Sequence, residues 1–187
     1  MTGVQTCALP IWSLAVTYVP VAESTPMSVQ VSASASISGS ASLSAHTIQV
    51  DATRTLSAAG GSLTFNTLTL ARGTTPATLA VTGNVSITGA SGSTATIGTN
   101  SGTATGGRID LTGDTRTITV TDGTAATDLQ VAVPLINGGL VKAGPGTMLL
   151  TATSTYSGPT TIQGGMLALG PNGAIASSSV VRVDAGA

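Results

Sequence analysis

Polar and apolar residues alternate along this chain with a period of two, in short runs, and nowhere with the spacing of an amphipathic helix. From Ser28 to Ala45, residues Ser28, Gln30, Ser32, Ser34, Ser36, Ser38, Ser40, Ser42 and Ser44 fall on one face. Val29, Val31, Ala33, Ala35, Ile37, Gly39, Ala41, Leu43 and Ala45 fall on the other. Successive side chains of a strand point to opposite faces, so this pattern predicts extended chain. The same composition also suits a flexible linker, and residues 13–45 are read as an alternating strand or a Ser/Ala-rich linker. Shorter alternating runs follow at His46–Val50, Leu63–Leu70, Leu79–Val81, Val85–Ile87, Ile109–Leu111, Thr117–Val120 and Leu129–Val133. Gly, Asn, Asp and Thr clusters separate them. Short strands about ten residues apart suit a sandwich, a barrel or a β-helix, and spacing alone does not choose among them.

Composition sharpens the class. Charged residues make up 7% of the 187, against about 25% in typical soluble domains. Aromatics make up 2%, which excludes a core built around Phe, Tyr and Trp. Thr and Val favour strands, Gly and Ser favour turns, and Glu23 and Lys142 are the sole Glu and Lys. The chain reads as all-β. With a formal net charge of -1 and no basic stripe, it lacks the footprint that binding a phosphate backbone needs, so nucleic acid is not expected as a partner. Low charge with strong β-propensity is an aggregation hazard in a free sheet, and a solenoid removes it by pairing strands along its length.

The run Thr2 to Ile11 resembles the translation of a sequencing adaptor, so residues 1–12 are read as not native and are left out of fold reasoning. A truncated signal peptide is the other reading, but no Lys or Arg precedes Arg54 and a secretory n-region is basic. The only Cys, Cys7, and the only Trp, Trp12, belong to this segment. Without them the chain has neither a disulfide framework nor a thiolate metal site.

The decisive pattern lies between residues 138 and 169. Gly138-Gly139-Leu140-Val141-Lys142-Ala143-Gly144-Pro145-Gly146-Thr147-Met148-Leu149-Leu150-Thr151 is followed by Tyr156-Ser157-Gly158-Pro159-Thr160-Thr161-Ile162-Gln163-Gly164-Gly165-Met166-Leu167-Ala168-Leu169. In order, these give a Gly-rich entry, a Leu-x-Lys strand, a Gly-x-Gly-Thr turn, a Leu pair, Tyr-x-Gly, Thr-x-Ile and a Gly-x-Leu strand. This resembles the autotransporter-associated, or passenger-associated, β-strand repeat. The motif positions are Gly138, Gly139, Leu140, Lys142, Gly144, Gly146, Thr147, Leu149, Tyr156, Gly158, Thr161, Gly164, Gly165 and Leu167. Pro145, Pro159, Met148 and Met166 depart from the usual residues without breaking the order. Arg108 to Val133 is similar to strands that commonly precede such repeats, and Ser178 to Ala187 reads as the start of a further rung.

The resemblance implies a right-handed parallel β-helix over residues 46–187, incomplete as it stands. Leu, Met and Ile would stack inward, glycines would turn the corners, and Lys142 would face solvent. It further implies an adhesin-like passenger exported through, and displayed by, a C-terminal outer-membrane β-barrel of a Gram-negative cell. Host or environmental surfaces would be its partners.

Candidate chemistry is sparse. Asp110, Asp114, Asp122 and Asp128, with Arg108 and Arg116, form the one charge cluster. A carbohydrate-active β-helix, lyase- or hydrolase-like, would need two or three carboxylates at one lateral position on neighbouring rungs; it is one alternative reading, and another cell-envelope repeat protein is the other. Asp114 and Asp122 sit in Thr-Gly-Asp-Thr and Thr-Asp-Gly-Thr, where Asp commonly caps its own turn. Gly106-Gly107-Arg108-Ile109-Asp110-Leu111 echoes a calcium-binding nonapeptide but lacks the third Gly and any repetition. His46 has no nucleophile that sequence can assign to it. Asn84-Val85-Ser86 is a formal glycosylation sequon of low specificity. No catalytic residue, cofactor, metal or small-molecule substrate is assigned. The chain is expected to be a structural solenoid and not an enzyme.

Overall fold

The structure is a computed structural model that describes residues 16–18, 28–185 and 187; the adaptor-like run, with Cys7 and Trp12, lies outside them. After β1 (Val16–Tyr18), strands follow in windings of up to three. The first winding is β2 (Ser28–Val31), β3 (Ala35–Ser38) and β4 (Ser42–Ser44). The second is β5 (Thr47–Val50), β6 (Thr55–Ala59) and β7 (Ser62–Phe65). The third is β8 (Thr67–Leu70), β9 (Thr78–Val81) and β10 (Val85–Gly89), closed by a single 3-10 turn at Ala90–Gly92. The fourth is β11 (Ala95–Gly98), β12 (Arg108–Asp110) and β13 (Thr115–Val120), and the fifth β14 (Leu129–Val131), β15 (Leu135–Ile136) and β16 (Gly139–Ala143). β17 (Thr147–Leu150) and β18 (Thr160–Ile162) make the sixth, β19 (Met166–Leu169) and β20 (Val181–Val183) the seventh.

Corresponding strands stack into three sheets. Sheet I runs β1-β2-β5-β8-β11-β14-β17-β19, sheet II β3-β6-β9-β12-β15, and sheet III β4-β7-β10-β13-β16-β18-β20. Every pair is parallel except β1 on β2, which is antiparallel. A bridge from Thr153 to Ala174 carries sheet II into the last two windings. The chain is thus an all-β solenoid, as the sequence led us to expect, and the structure gives it about seven turns.

Its core is a set of in-register ladders. In sheet I, Val29, Ile48, Leu68, Ile97, Val131, Leu150 and Leu169 stand one above another. In sheet II the ladder is Ala35, Leu56, Leu79, Ile109 and Leu135. All but the terminal Leu169 are buried. Each buried Val, Ile or Leu of these ladders contributes roughly 1.5–3 kcal/mol by leaving water. The aliphatic, aromatic-poor composition suits a narrow interior that each winding fills with a few medium-sized side chains.

The step between windings is 19 residues from Ser28 to Thr47 and again from Met148 to Leu167, but 34 from Thr96 to Gln130. Long corners at 71–77, 99–107 and 121–128 absorb the difference. Arg72 ties the first two together: its Nε donates to the Asn100 carbonyl at 2.7 Å, its Nη1 to that of Ala104 at 2.8 Å, and its N–H to Asn100 Oδ1.

Three details of the sequence pattern come out differently. The run Ser28 to Ala45 is bent into three strands, and Leu63–Leu70 into two with a corner at Asn66. The alternation survives because each corner returns the next strand with its apolar residues inward. β6 and β11 carried no recognised signal, since Thr, Ser and Ala dominate them. The replacement Ile97→Ala should lower unfolding free energy by roughly 2–5 kcal/mol, and Thr96→Ala, whose side chain faces outward, by less than about 0.5 kcal/mol. Urea titration of both variants checks this, and equal losses would show that the ladder is not the core.

Candidate functional site

The repeat residues occupy windings five to seven. Leu140 and Lys142 are two apart in β16, so the alternation that buries Leu140 buries Lys142 as well. Lys142 is 0% exposed, in register between Ile118 and Ile162. The expectation that it faces solvent is therefore corrected: an ammonium stands within an apolar ladder. Its three N–H donors all find carbonyls, those of Ala143 at 3.1 Å and of Gly144 and Gly164 at 2.9 Å. One side chain thereby staples the Gly144 corner of the fifth winding to the Gly164 corner of the sixth.

Asp128, also buried, supplies the balancing charge in the same region. Its Oδ1 accepts from Gly123 N–H at 2.7 Å and its Oδ2 from Thr147 N–H at 2.8 Å, closing the long corner 121–128 onto β17. Burial pushes the Lys142 pKa below 10.5, and the Asp128 carboxylate opposes that shift. The sequence pattern missed this role of Asp128, whose one signal was an acidic residue immediately before a strand.

A second polar cluster sits beside the opposite end of β18. Tyr156, 1% exposed, shares a hydrogen bond with Thr160 Oγ1 at 2.7 Å, and Thr160 shares one with Ser178 Oγ at 2.9 Å. Ser178 donates in turn to the Gly158 carbonyl at 3.0 Å. Burial raises the Tyr156 pKa above 10.0, partly offset by the bond to Thr160. Thr160 is the buried member of the Thr160-Thr161 pair, and Thr161 is half-buried. In β17 the inward pair is Met148 and Leu150, while Leu149 stands between them on the outer face. Met166 is exposed and Leu167 half-buried against the core.

The motif glycines are where windings pass closest. Gly138 has φ +110, and a Cβ there would run into the Asp114 carbonyl; Gly165 has φ +62 and would meet the carbonyls of Pro145 and Gly146. Gly139 and Gly158 pack against the backbone of the adjacent winding in the same way, and Gly146 packs against Thr121 and Asp128. Pro145 and Pro159 sit at corners, where an amide owes nothing to a ladder.

The acidic candidates divide. Asp110 and Asp114 line an open groove of about 750 Å³ at the corners joining sheets II and III, together with Asn137 and Ser157. Asp110 Oδ1 accepts from Thr112 N–H and from Asn137 Nδ2, and Asp114 Oδ2 pairs with Arg116 at 2.7 Å. Asp122 lies in the corner joining sheets III and I. His46 is exposed, and its carbonyl accepts from Asn66 and Thr67. Asn84 Oδ1 accepts from Thr117 N–H at 3.1 Å. Among the described residues no group of three His, Cys, Asp or Glu side chains is placed to hold a metal.

The two shifted groups predict opposite alkaline effects. Folded Lys142 holds its proton less tightly than the unfolded chain, so it adds stability as pH rises through its folded pKa towards 10.5. Folded Tyr156 holds its proton more tightly, so stability falls as pH rises past 10.0. Tyr156→Phe should therefore flatten the loss above pH 10.0, and Lys142→Met the gain below 10.5, when urea midpoints are followed against pH. At neutral pH, Lys142→Met should destabilise by about 1–3 kcal/mol, because three corner carbonyls lose their donor and Asp128 a nearby positive charge. A Met variant as stable as the wild type would show that the staple adds nothing.

Residues 140–169 match the family described as Passenger-associated-transport-repeat. Neither a curated protein nor a solved structure matches the chain. The matched segment runs from Leu140, beneath the Lys142 staple, to Leu169 at the top of the sheet I ladder. In parent proteins this repeat family implies a linked C-terminal translocator domain and export to the cell exterior. One passenger-type repeat, matched over residues 140–169 and seated in register within a β-solenoid, fits an autotransporter passenger repeat protein.

Proposed function

We propose that this solenoid is a structural segment of an exported passenger, one that aids its own translocation and carries an adhesin-like surface away from the outer membrane of a Gram-negative cell. The observation that carries the reading is that each winding is completed by its neighbour. Residues 140–169 pair on one side with β13 and β14 and on the other with β20. A chain that folds by adding one winding to an existing edge gains free energy step by step, and such stepwise gain outside the membrane opposes backsliding.

The proposed role is mechanical and not catalytic. Asp110 and Asp114 are engaged by Thr112, Asn137 and Arg116, and Asp122 belongs to a different corner. These carboxylates serve turns and ion pairs, which supports the structural reading over a carbohydrate-active one. Host or environmental surfaces are the proposed partners, and an outer-membrane β-barrel is the proposed route to them.

Surface display tests this directly. The 187-residue chain is placed between a secretion signal and an autotransporter barrel, and its exposure is followed by external protease. The wild type should reach the surface, and Gly138→Val, which collides with the Asp114 carbonyl, should slow its arrival several-fold. Equal rates for both would sink the link between winding and export.

A further inference from the structure

The groove at the corners joining sheets II and III crosses three successive windings, from residues 110–115 through 137–139 to 157–159. A further winding lies on each side of it. Thr112 Oγ1 donates to the Val81 carbonyl of the third winding, and Ser179 N–H of the seventh donates to the Gly158 carbonyl. Neighbouring strands stand about 4.8 Å apart, so three windings give the groove a run of about 10 Å. Gly113, Gly138, Gly139 and Gly158 lie along it, and their bare backbone leaves the volume of about 750 Å³ open.

Internal hydrogen bonds fix the walls and spare half of their polar atoms. Asp110 Oδ1 accepts from Thr112 N–H at 2.8 Å and from Asn137 Nδ2 at 3.1 Å, and Asp114 Oδ2 accepts from Arg116 at 2.7 Å. Among the described residues nothing bonds Asp110 Oδ2, Asp114 Oδ1, Asn137 Oδ1 or the Ser157 hydroxyl. Thr112 and Asn137, with φ 58 and 52, are two of the three non-glycine residues in left-handed backbone among the described ones. Strain of that kind costs stability, and most of it gathers at this groove.

We infer that the groove binds a neutral oligosaccharide, with two or three linked sugar rings lying along the solenoid axis. The chemistry of the walls selects the class. Free carboxylate and carboxamide oxygens accept from sugar hydroxyls, and the Ser157 hydroxyl both donates and accepts, so a ligand dense in hydroxyls matches them. Arg116 neutralises Asp114, which leaves Asp110 as the net charge of the groove; acidic sugars and phosphates are repelled by it. A peptide added as a strand would need an open edge, and β12, β13 and β16 are paired on both sides. Asp110 and Asp114 have no third acidic or imidazole group among the described residues to complete a cation cage. The assignment names the partner class of the adhesin-like surface proposed above and rests on that reading. Titration of the soluble chain involves no export, so its failure and a failure of surface display are separate results.

Calorimetric titration of the 187-residue chain with cellotriose, mannotriose and galactotriose tests the groove, with tri-galacturonate as the acidic comparison. At least one neutral trisaccharide should bind in the millimolar range, and tri-galacturonate about tenfold more weakly or not at all. Asp110→Asn keeps the Oδ1 bonds to Thr112 and Asn137 but replaces the free acceptor with a donor, so it should weaken binding about tenfold and leave the urea midpoint unchanged. Ser157→Trp, at an exposed position, should block the groove, and Asp122→Asn, at another corner, should change nothing. Failure of all three neutral probes to bind at tens of millimolar overturns the proposal. So does binding that either D110N or Ser157→Trp leaves untouched, an equal loss on Asp122→Asn, or a preference for tri-galacturonate.

Discussion

The structure depends on one constraint: an inward side chain must find its counterpart directly above and below, one winding away. The sheet I ladder from Val29 to Leu169 satisfies it across all seven windings. No single winding can bury its own apolar face, because two or three strands of two to six residues enclose too little volume. Cohesion is therefore longitudinal, and each rung is both ligand and template for the next.

Corners carry the cost of that arrangement. Three turns per winding would leave backbone carbonyls facing inward or upward, and the repeat region satisfies them with specific groups. Lys142 spends all three donors on corner carbonyls, Asp128 takes two amides, and the Tyr156-Thr160-Ser178 cluster holds the corner of Gly158. A buried charge is expensive unless every donor is used, and here every donor is used. The earlier windings solve the same problem differently, with long corners laced by Arg72 and by Thr124, whose N–H and hydroxyl both reach the Gly92 carbonyl. Such insertions project from the solenoid without shifting the ladders, which is why the step between windings can grow from 19 to 34 residues while register is kept.

This division of labour explains how a chain so poor in charge folds without a conventional hydrophobic centre. Outward faces carry Ser and Thr, inward faces carry Val, Ile and Leu, and most charged groups, at corners or in strands, stay partly or fully exposed. Lys142 and Asp128 are the informative exceptions, since they are charged and buried in the stretch where the motif is strongest.

The amino-acid sequence by itself determined the strand character, the two-residue alternation, the aliphatic core and the resemblance of residues 138–169 to a passenger-type repeat, matched over 140–169. These are local properties: a strand's faces are set by its own period, and a corner glycine by its own φ. Tertiary structure alone decided that Ser28–Ala45 bends into three strands and Leu63–Leu70 into two, because a corner such as Asn66 is fixed by the carbonyl of His46 one winding earlier and not by its neighbours. It also decided the direction of Lys142. Its place in the Leu-x-Lys pattern already put it on the face of Leu140, but whether an ammonium can be held there depends on Gly144 and Gly164 presenting carbonyls from two windings at once. That convergence is a property of stacking, and no single stretch of sequence contains it.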